Sequence, residues 1–210
     1  MDKAAATLDI LALQLGADQV RIRPWHEGLR DGLVRHANDA RVSRFLRNRF
    51  PYPYTDETAT NFFRMFATEP RPFVFAIVRV SPDGAEEAIG GMGLTFESPT
   101  EVHAHTAELG YWLGAAFWGN GIMTAAVRAF LRDFVEPHRM SRQPVPLSRI
   151  VAFGDVANMG SLKVLRANGF EDEGVMRRHG FKNGVFYDSF VLARVFIDES
   201  ADSSAKETAA

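Results

Sequence analysis

Apolar residues recur along the chain with two periods, and the order in which those periods alternate predicts the elements. In "DQVRIRP" the positions of Val20, Ile22 and Pro24 fall on one side of a first strand. The residues before it, 1–18, read as a loosely attached N-terminal arm. Period 3.6 follows: "EGLRDGLVRHANDARVSRFL" places Leu29, Leu33, Val34 and Ala37 at helical spacing. A second helix is predicted where Thr55, Asp56 and Glu57, cap-like residues, precede Phe62, Phe63 and Phe66. Between the two, "RNRFPYPYT" is a proline and aromatic loop.

The pattern then changes to strands. "PFVFAIVRV" and "EEAIGGMGLTFE" are joined by "SPDGAE", whose Pro82, Asp83 and Gly84 carry turn chemistry, so a hairpin is expected. "HTAELGYWL" is a further strand that leads directly into "FWGNGIMTAAVRAFLRDF". There Ile122, Ala126, Phe130 and Phe134 recur every four residues with Met123, Val127 and Leu131 alongside, a wide apolar stripe for facing a sheet. Three prolines in "EPHRMSRQPVPLS" end that pattern. "RIVAFGDV" is a short buried strand, and "NMGSLKVLRANGF" a helix stopped by Asn168 and Gly169. Two strands, "FEDEGVMRRH" and "VFYDSFVLARVF", turn at Asn183-Gly184. From Asp198 the composition is too polar to fold, which leaves one domain over 19–197 and a disordered tail over 198–210. Antiparallel hairpins mixed with strand-helix-strand units argue for an α+β or α/β mixed sheet.

Composition narrows the functions open to such a domain. With 210 residues, 46% hydrophobic and 24% charged, the chain can bury one good core. A net charge of -2 lacks the one-signed footprint of nucleic-acid binders. The absence of cysteine removes disulfides, thiolate nucleophiles and cysteine-based zinc sites, and fits a cytoplasmic location. No apolar run approaches the roughly 18 residues of a membrane span. Asp2 and Asp9 interrupt the features of a signal peptide. His103 and His105, spaced as H-A-H, are poor support for a metal site, and no metal is expected.

The chemistry concentrates at the glycine turn. First-turn N–H groups of a helix have no internal partners and sit at the positive end of its dipole, so an anion is stabilised there. Glycines at 119 and 121 clear side chains from those donors and allow unusual dihedrals, an arrangement suited to a pyrophosphate. A P-loop would require Gly-Lys-Ser/Thr after four residues, whereas "NGIMTAA" has no lysine. A dinucleotide fingerprint would require a small residue where Thr124 stands.

The order of parts resembles the GNAT superfamily of acyl-CoA-dependent N-acetyltransferases, and most closely its RimJ/RimL-like branch. The likeness rests on "ELGYWLGAAFWGNGIMTAAV" followed about 40 residues later by "NMGSLKVLRANGF", with Asn158, Ser161, Gly169 and Phe170. It covers roughly residues 19–196. Where the superfamily loop usually has Gln or Arg three residues before the first glycine, this chain has Ala116. The resemblance implies a central, mostly antiparallel twisted sheet of six to seven strands flanked by about four helices.

It also implies acetyl-CoA as cosubstrate and a primary amine as acceptor, with a homodimer among the assemblies open to it. The backbone amides of Gly119, Asn120, Gly121, Ile122 and Met123 would take the pyrophosphate, with Trp118 and Thr124 nearby. The strand end at Trp112, Leu113 and Gly114 would pair with pantetheine by β-augmentation. Asn158 would bond the pantetheine arm, and Ser161 would donate to the leaving thiolate; read from the residues alone, Asn158 caps its helix and Ser161 bonds to backbone.

Glu108, on the strand leading to the cofactor, is the first choice for a base, against a reading as a salt-bridged surface residue. The resemblance implies that some relatives of the branch have a carboxylate as base on the late hairpin where this chain has Gly180, beside His179; Tyr187 and Asp188 either line the acceptor cleft or pack. That loss keeps a second reading open, a non-catalytic acyl-CoA-binding sensor on the same fold. "RFLRNRFPYPYT" and "RRHGFKN" would wall the acceptor pocket with Arg, Phe and Tyr, which suits an acidic or aromatic acceptor or is a solvated basic face.

Overall fold

The computed structural model describes residues 8–68, 73–96, 98–141 and 145–197. Eight strands form one sheet in the order β1-β2-β3-β4-β5-β6-β8-β7: β1 Ile10–Leu15, β2 Asp18–Pro24, β3 Val74–Val80, β4 Glu86–Phe96, β5 Thr106–Leu113, β6 Arg149–Asp155, β7 Glu171–Lys182 and β8 Val185–Val195. Every neighbouring pair is antiparallel except β5 and β6, which run parallel.

The strand beyond the expected six or seven is β1, in the segment read as a loose arm. Leu8 and Ile10 are buried in the main core, and Asp9 accepts from Arg21 and Arg23 of β2, so this part of the arm is an edge strand. Polar Gln14 and Asp9 weaken its hydrophobic alternation, which is why the pattern hid it. Residues 1–7 and the 198–210 tail lie outside the described residues.

Helices cover both faces of the sheet. On one lies α4, Ile122–Phe130, prolonged by a π-helical turn over Leu131–Val135; its Ile122, Ala126, Val127, Phe130 and Phe134 are buried against Ile22, Phe75, Ile77 and Leu109. Beside it is α5, Met159–Arg166, which inserts Leu162 and Leu165 into the same core. The opposite face carries α1 Arg30–Ala37, α2 Ala40–Arg44 and α3 Asp56–Thr68. Leu33, Ala37, Tyr54, Ala59 and Phe63 there form a second core with Trp25, Phe50 and Trp112 packed around it.

The single helix predicted over 27–46 is therefore divided. Asn38 ends α1, its Oδ1 accepting the N–H of Tyr54 at 3.0 Å, and Asp39 caps α2, its Oδ1 accepting from the Arg41 N–H at 2.8 Å. Short polar side chains that satisfy backbone donors favour such breaks over helix continuation. Elsewhere the turns follow their residues: Gly84 has φ 85° in the β3–β4 hairpin, and Asn183 and Gly184 have φ 50° and 80° in the last one. Positive φ at both central residues is the two-residue hairpin turn expected of Asn-Gly.

Candidate active site

The site begins where β5 and β6 part. They are hydrogen-bonded only from Thr106–Glu108 to Arg149–Val151, after which β5 continues with β4 and β6 with β8. Gly114 N–H donates to the Ile89 carbonyl of β4 at 2.8 Å. Main-chain groups of alternate residues turn to opposite sides of a strand, so those of Leu109, Tyr111 and Leu113 turn to the gap. Of the three residues expected to pair with pantetheine, Trp112 and Gly114 thus turn their backbone to β4. Leu113 does face the gap, but its carbonyl already accepts from Trp118 Nε1 at 2.8 Å. The open backbone groups lie one turn of the pleat earlier, at Leu109 and Tyr111.

A cleft of about 500 Å³ runs from this gap to the start of α4, lined by Tyr111, Trp118, Gly119, Gly121, Thr124, Asn158 and Ser161 among others. Gly119 and Gly121 take φ of 78° and 71°, and a Cβ at either would meet nothing within 4 Å. Gly121 is the N-cap and offers no side-chain acceptor, leaving the first-turn amides of α4 without a capping partner. Ile122 and Met123 belong to the main core and also line the cleft. The cleft therefore has the donors and the clearance that a phosphate group needs.

Asn120 behaves differently from expectation: its Nδ2 donates back to the carbonyls of Phe117 and Trp118, at 3.3 and 3.2 Å, so the side chain stiffens the loop. Phe117 fixes the loop from below, with the His36 ring at 5.1 Å and Arg79 over its face. Lys163, one turn into α5, adds a cation to the cleft. Nothing in its spacing marked it, since a lysine on a helix is most often merely solvated.

A second cavity of about 280 Å³ lies on the side of α1 to α3, and the two meet at Phe45, Leu46, Tyr111, Trp112, Asn158 and Ser161. Its walls are mainly aromatic, with Trp25, Phe50, Tyr54 and Phe62, and it carries Arg47, Arg49 and Glu108. Glu108 is ion-paired with Arg47. Four glycines, Gly91, Gly93, Gly110 and Gly154, line it; Gly110 faces open space, and at Gly91 a Cβ would stand 2.8 Å from Trp112 Nε1. Lys182, from the last hairpin, donates to the carbonyls of Ser43 and Leu46 and ties that hairpin to the roof of both cavities.

At the junction, Asn158 Oδ1 caps α5 by accepting the Ser161 N–H at 3.1 Å, which leaves its Nδ2 as a donor. Ser161 Oγ lies 2.8 Å from the Tyr111 hydroxyl. Burial pushes the Tyr111 phenol up to about 12. Nothing in the local sequence marks Tyr111, because strand aromatics usually pack.

The late hairpin supplies no carboxylate to this junction. Gly180 pairs with Tyr187 across the hairpin, and a Cβ at 180 would fall 1.9 Å from the Tyr187 ring. Asp188 accepts the Arg178 N–H at 2.7 Å, and His179 Nδ1 lies 3.0 Å from Ser189 Oγ. None of His179, Tyr187 and Asp188 lines either cavity, nor do His103 and His105 in the turn before β5.

Residues 19–171 match the family described as "Acetyltransferase (GNAT) domain". The chain belongs to the GNAT acetyltransferase family. Among curated relatives, it is 41% identical over 88 residues to "Probable N-acetyltransferase YjcK" of Bacillus subtilis, covering 42% of this chain and 45% of that one. It is 33% identical over 90 residues to the "Ribosomal-protein-serine acetyltransferase" of Escherichia coli, covering 43% and 46%. The chain thus spans about half the length of the curated relatives it matches. Among solved structures, RimL ribosomal L7/L12 alpha-N-protein acetyltransferase in complex with coenzyme A superposes with a TM-score of 0.66 at 23% identity, over 89% of this chain and 98% of that one. That likeness concerns the fold, and the names of these relatives agree with a RimJ/RimL-like branch of the GNAT family.

Proposed function

We propose that this protein is an acetyl-CoA-dependent N-acetyltransferase acting by direct transfer on a primary amine. The carrying observation is the meeting of two cavities at Tyr111, Asn158 and Ser161, one ending on an uncapped helix N-terminus and the other holding Glu108. Acetyl-CoA supplies an acetyl group as a thioester. Amides at Gly119 to Met123, with Trp118, Thr124 and Lys163 nearby, hold its pyrophosphate; the gap-facing backbone of Leu109 and Tyr111 and the Nδ2 of Asn158 hold its pantetheine arm.

The acceptor enters from the aromatic side. As its nitrogen bonds to the acetyl carbon, the C–S bond breaks, the sulfur keeps the electron pair, and the proton shed by nitrogen balances the one CoA takes up on leaving. Glu108 accepts the nitrogen's proton, directly or through water, being the sole carboxylate among the described residues that line the acceptor cavity. Ser161 donates to the sulfur. An α-amino group, with a pKa about 8, is roughly a tenth neutral at pH 7, whereas a lysine amine is far below a hundredth, so α-amines of peptides or small molecules are favoured. The curated relative named for a ribosomal-protein serine supports a peptide N-terminus.

The test is acetyl transfer to a panel of N-terminal peptides, amino acids and small amines, run beside thermal shift with acetyl-CoA, CoA, NAD and ATP. At about 100 times the dissociation constant, binding contributes about 2.7 kcal/mol, a midpoint rise of roughly 5 to 10 °C. Transfer together with a shift for CoA compounds supports the reading. A shift without turnover on any amine returns the sensor reading, which the ion-paired state of Glu108 and the missing carboxylate at 180 favour.

A further inference from the structure

The serine at the junction does not act alone. We propose that Tyr111 is a positioning residue whose hydroxyl holds that of Ser161 so that the serine proton points into the meeting place of the two cavities. The inference rests on the acetyltransferase reading and adds to it a residue that neither the glycine loop nor the Asn-Ser segment contains.

The geometry gives Ser161 one free valence. Its N–H is occupied by Asn158 Oδ1 at 3.1 Å, and its Oγ is 2.8 Å from Tyr111 Oη. Tyr111 Oη also lies 3.4 Å from the Ser161 carbonyl, so the phenol is held against both oxygens of one residue. A phenol is the better donor and an aliphatic hydroxyl the better acceptor, and each has a single proton to give. The bond therefore runs from Tyr111 to Ser161 Oγ, which leaves the serine proton for a third group. Donation into Oγ also polarises the serine O–H and strengthens it as a donor. Because the phenol's acidity is weakened by burial, it keeps its proton throughout the neutral range.

The two residues come from different elements, Tyr111 from the end of β5 and Ser161 from the first turn of α5, on either side of the gap between the parted strands. Their contact spans the place where the carbon–sulfur bond must lie if the pantetheine arm follows the gap. A hydroxyl fixed there stabilises charge as it develops on sulfur and needs no reorientation during transfer. Left unheld, Ser161 could turn its proton to a backbone carbonyl of its own helix, as serines in helices commonly do.

A double-mutant cycle with Tyr111→Phe, Ser161→Ala and both together tests this, with kcat and the KM for acetyl-CoA measured separately. If Tyr111 acts through Ser161, Tyr111→Phe lowers kcat on the order of 10-fold with KM little changed, and the double variant is no slower than Ser161→Ala. A second readout needs no turnover: the ratio of affinities for CoA and desulfo-CoA, measured above the thiol pKa of about 8.5. Both single variants should lose the wild-type preference for CoA. Independent effects that multiply in the double variant, or an unchanged ratio in Tyr111→Phe, would overturn the proposal.

Should Tyr111→Phe fail to fold, 3-fluorotyrosine placed at 111 keeps the ring and a protonated hydroxyl while strengthening the donor. It must then raise the CoA preference, and no change would equally refute the role. A wild-type protein that binds no CoA compound sinks the acetyltransferase reading and this inference together, whereas a competent wild type with a multiplicative cycle sinks only the inference.

Discussion

The chemistry assigned to single residues leads to separable expectations for Glu108 and Gly121. Glu108 is on the face of β5 that looks to α1–α3, away from the phosphate end of the cleft. Glu108→Gln should lower kcat on the order of 100-fold while leaving acetyl-CoA affinity unchanged, as read by steady-state kinetics and calorimetric titration. Because its ion pair with Arg47 is partly solvated, the same change should alter stability by less than about 1 kcal/mol. A loss of cofactor affinity instead would place Glu108 in the wrong cavity. Gly121 has φ 71° with empty space where a Cβ would be, so Gly121→Ala meets conformational strain without a clash. It should cost about 1 kcal/mol in chemical denaturation and weaken acetyl-CoA binding, since relief of the strained turn would shift the first-turn amides. Retained affinity would show that the phosphates bind elsewhere. At this scale the glycines, Asn158 and Ser161 were legible from residue type and spacing. Tyr111 was not, because a strand tyrosine becomes chemically distinctive only when another element brings a partner to its hydroxyl.

The arrangement of elements decides whether the late hairpin can carry an acid. The late hairpin has its Asn183-Gly184 turn as expected, yet its register sets Gly180 under the ring of Tyr187. Glycine is required there because the Tyr187 ring occupies the space a side chain would fill, so the position where the resemblance leads us to expect an acid is structurally committed in this chain. Gly180→Ala should therefore destabilise the protein by about 1 kcal/mol, while the same change in a Tyr187→Ala background should be nearly neutral. Thermal or urea denaturation of the four proteins measures the coupling; equal effects in both backgrounds would refute it. The division of the first helical segment into α1 and α2 has the same kind of origin. Apolar spacing runs through the break, but Asn38 and Asp39 satisfy backbone donors better as caps than as interior residues. Their partners, in α2 and at Tyr54, are what made the interruption favourable.

For the molecule as a whole, the sheet is extended by a strand whose attachment is partly ionic. Hydrogen bonding to Arg23, opposed in part by burial and aided by Arg21, holds the Asp9 carboxyl at about 2 against an ordinary 3.8. A carboxyl depressed in the folded state stabilises it above the unfolded value and loses that contribution as pH falls from about 4 toward 2. Asp9→Asn should flatten that limb of the stability profile, measured as urea midpoints against pH, and leave the neutral-pH midpoint only slightly lower because the pair is exposed. An unchanged acid limb would mean that β1 docks through Leu8 and Ile10 alone. The sequence by itself determined the alternation of strand and helix, the turn at Asn183-Gly184, the apolar stripe of α4 and the clearance at Gly119 and Gly121, because each depends on residues close together in the chain. Tertiary structure decided the rest: that β1 joins the sheet, that β5 and β6 part after three residue pairs, that Arg47 holds Glu108, and that Tyr111 reaches Ser161. Apart from the β1–β2 hairpin, whose pairs lie 3 to 12 positions apart, those contacts join residues 43 to 61 positions apart, and local periodicity carries no information about which distant side chains the folded sheet will bring within hydrogen-bond distance.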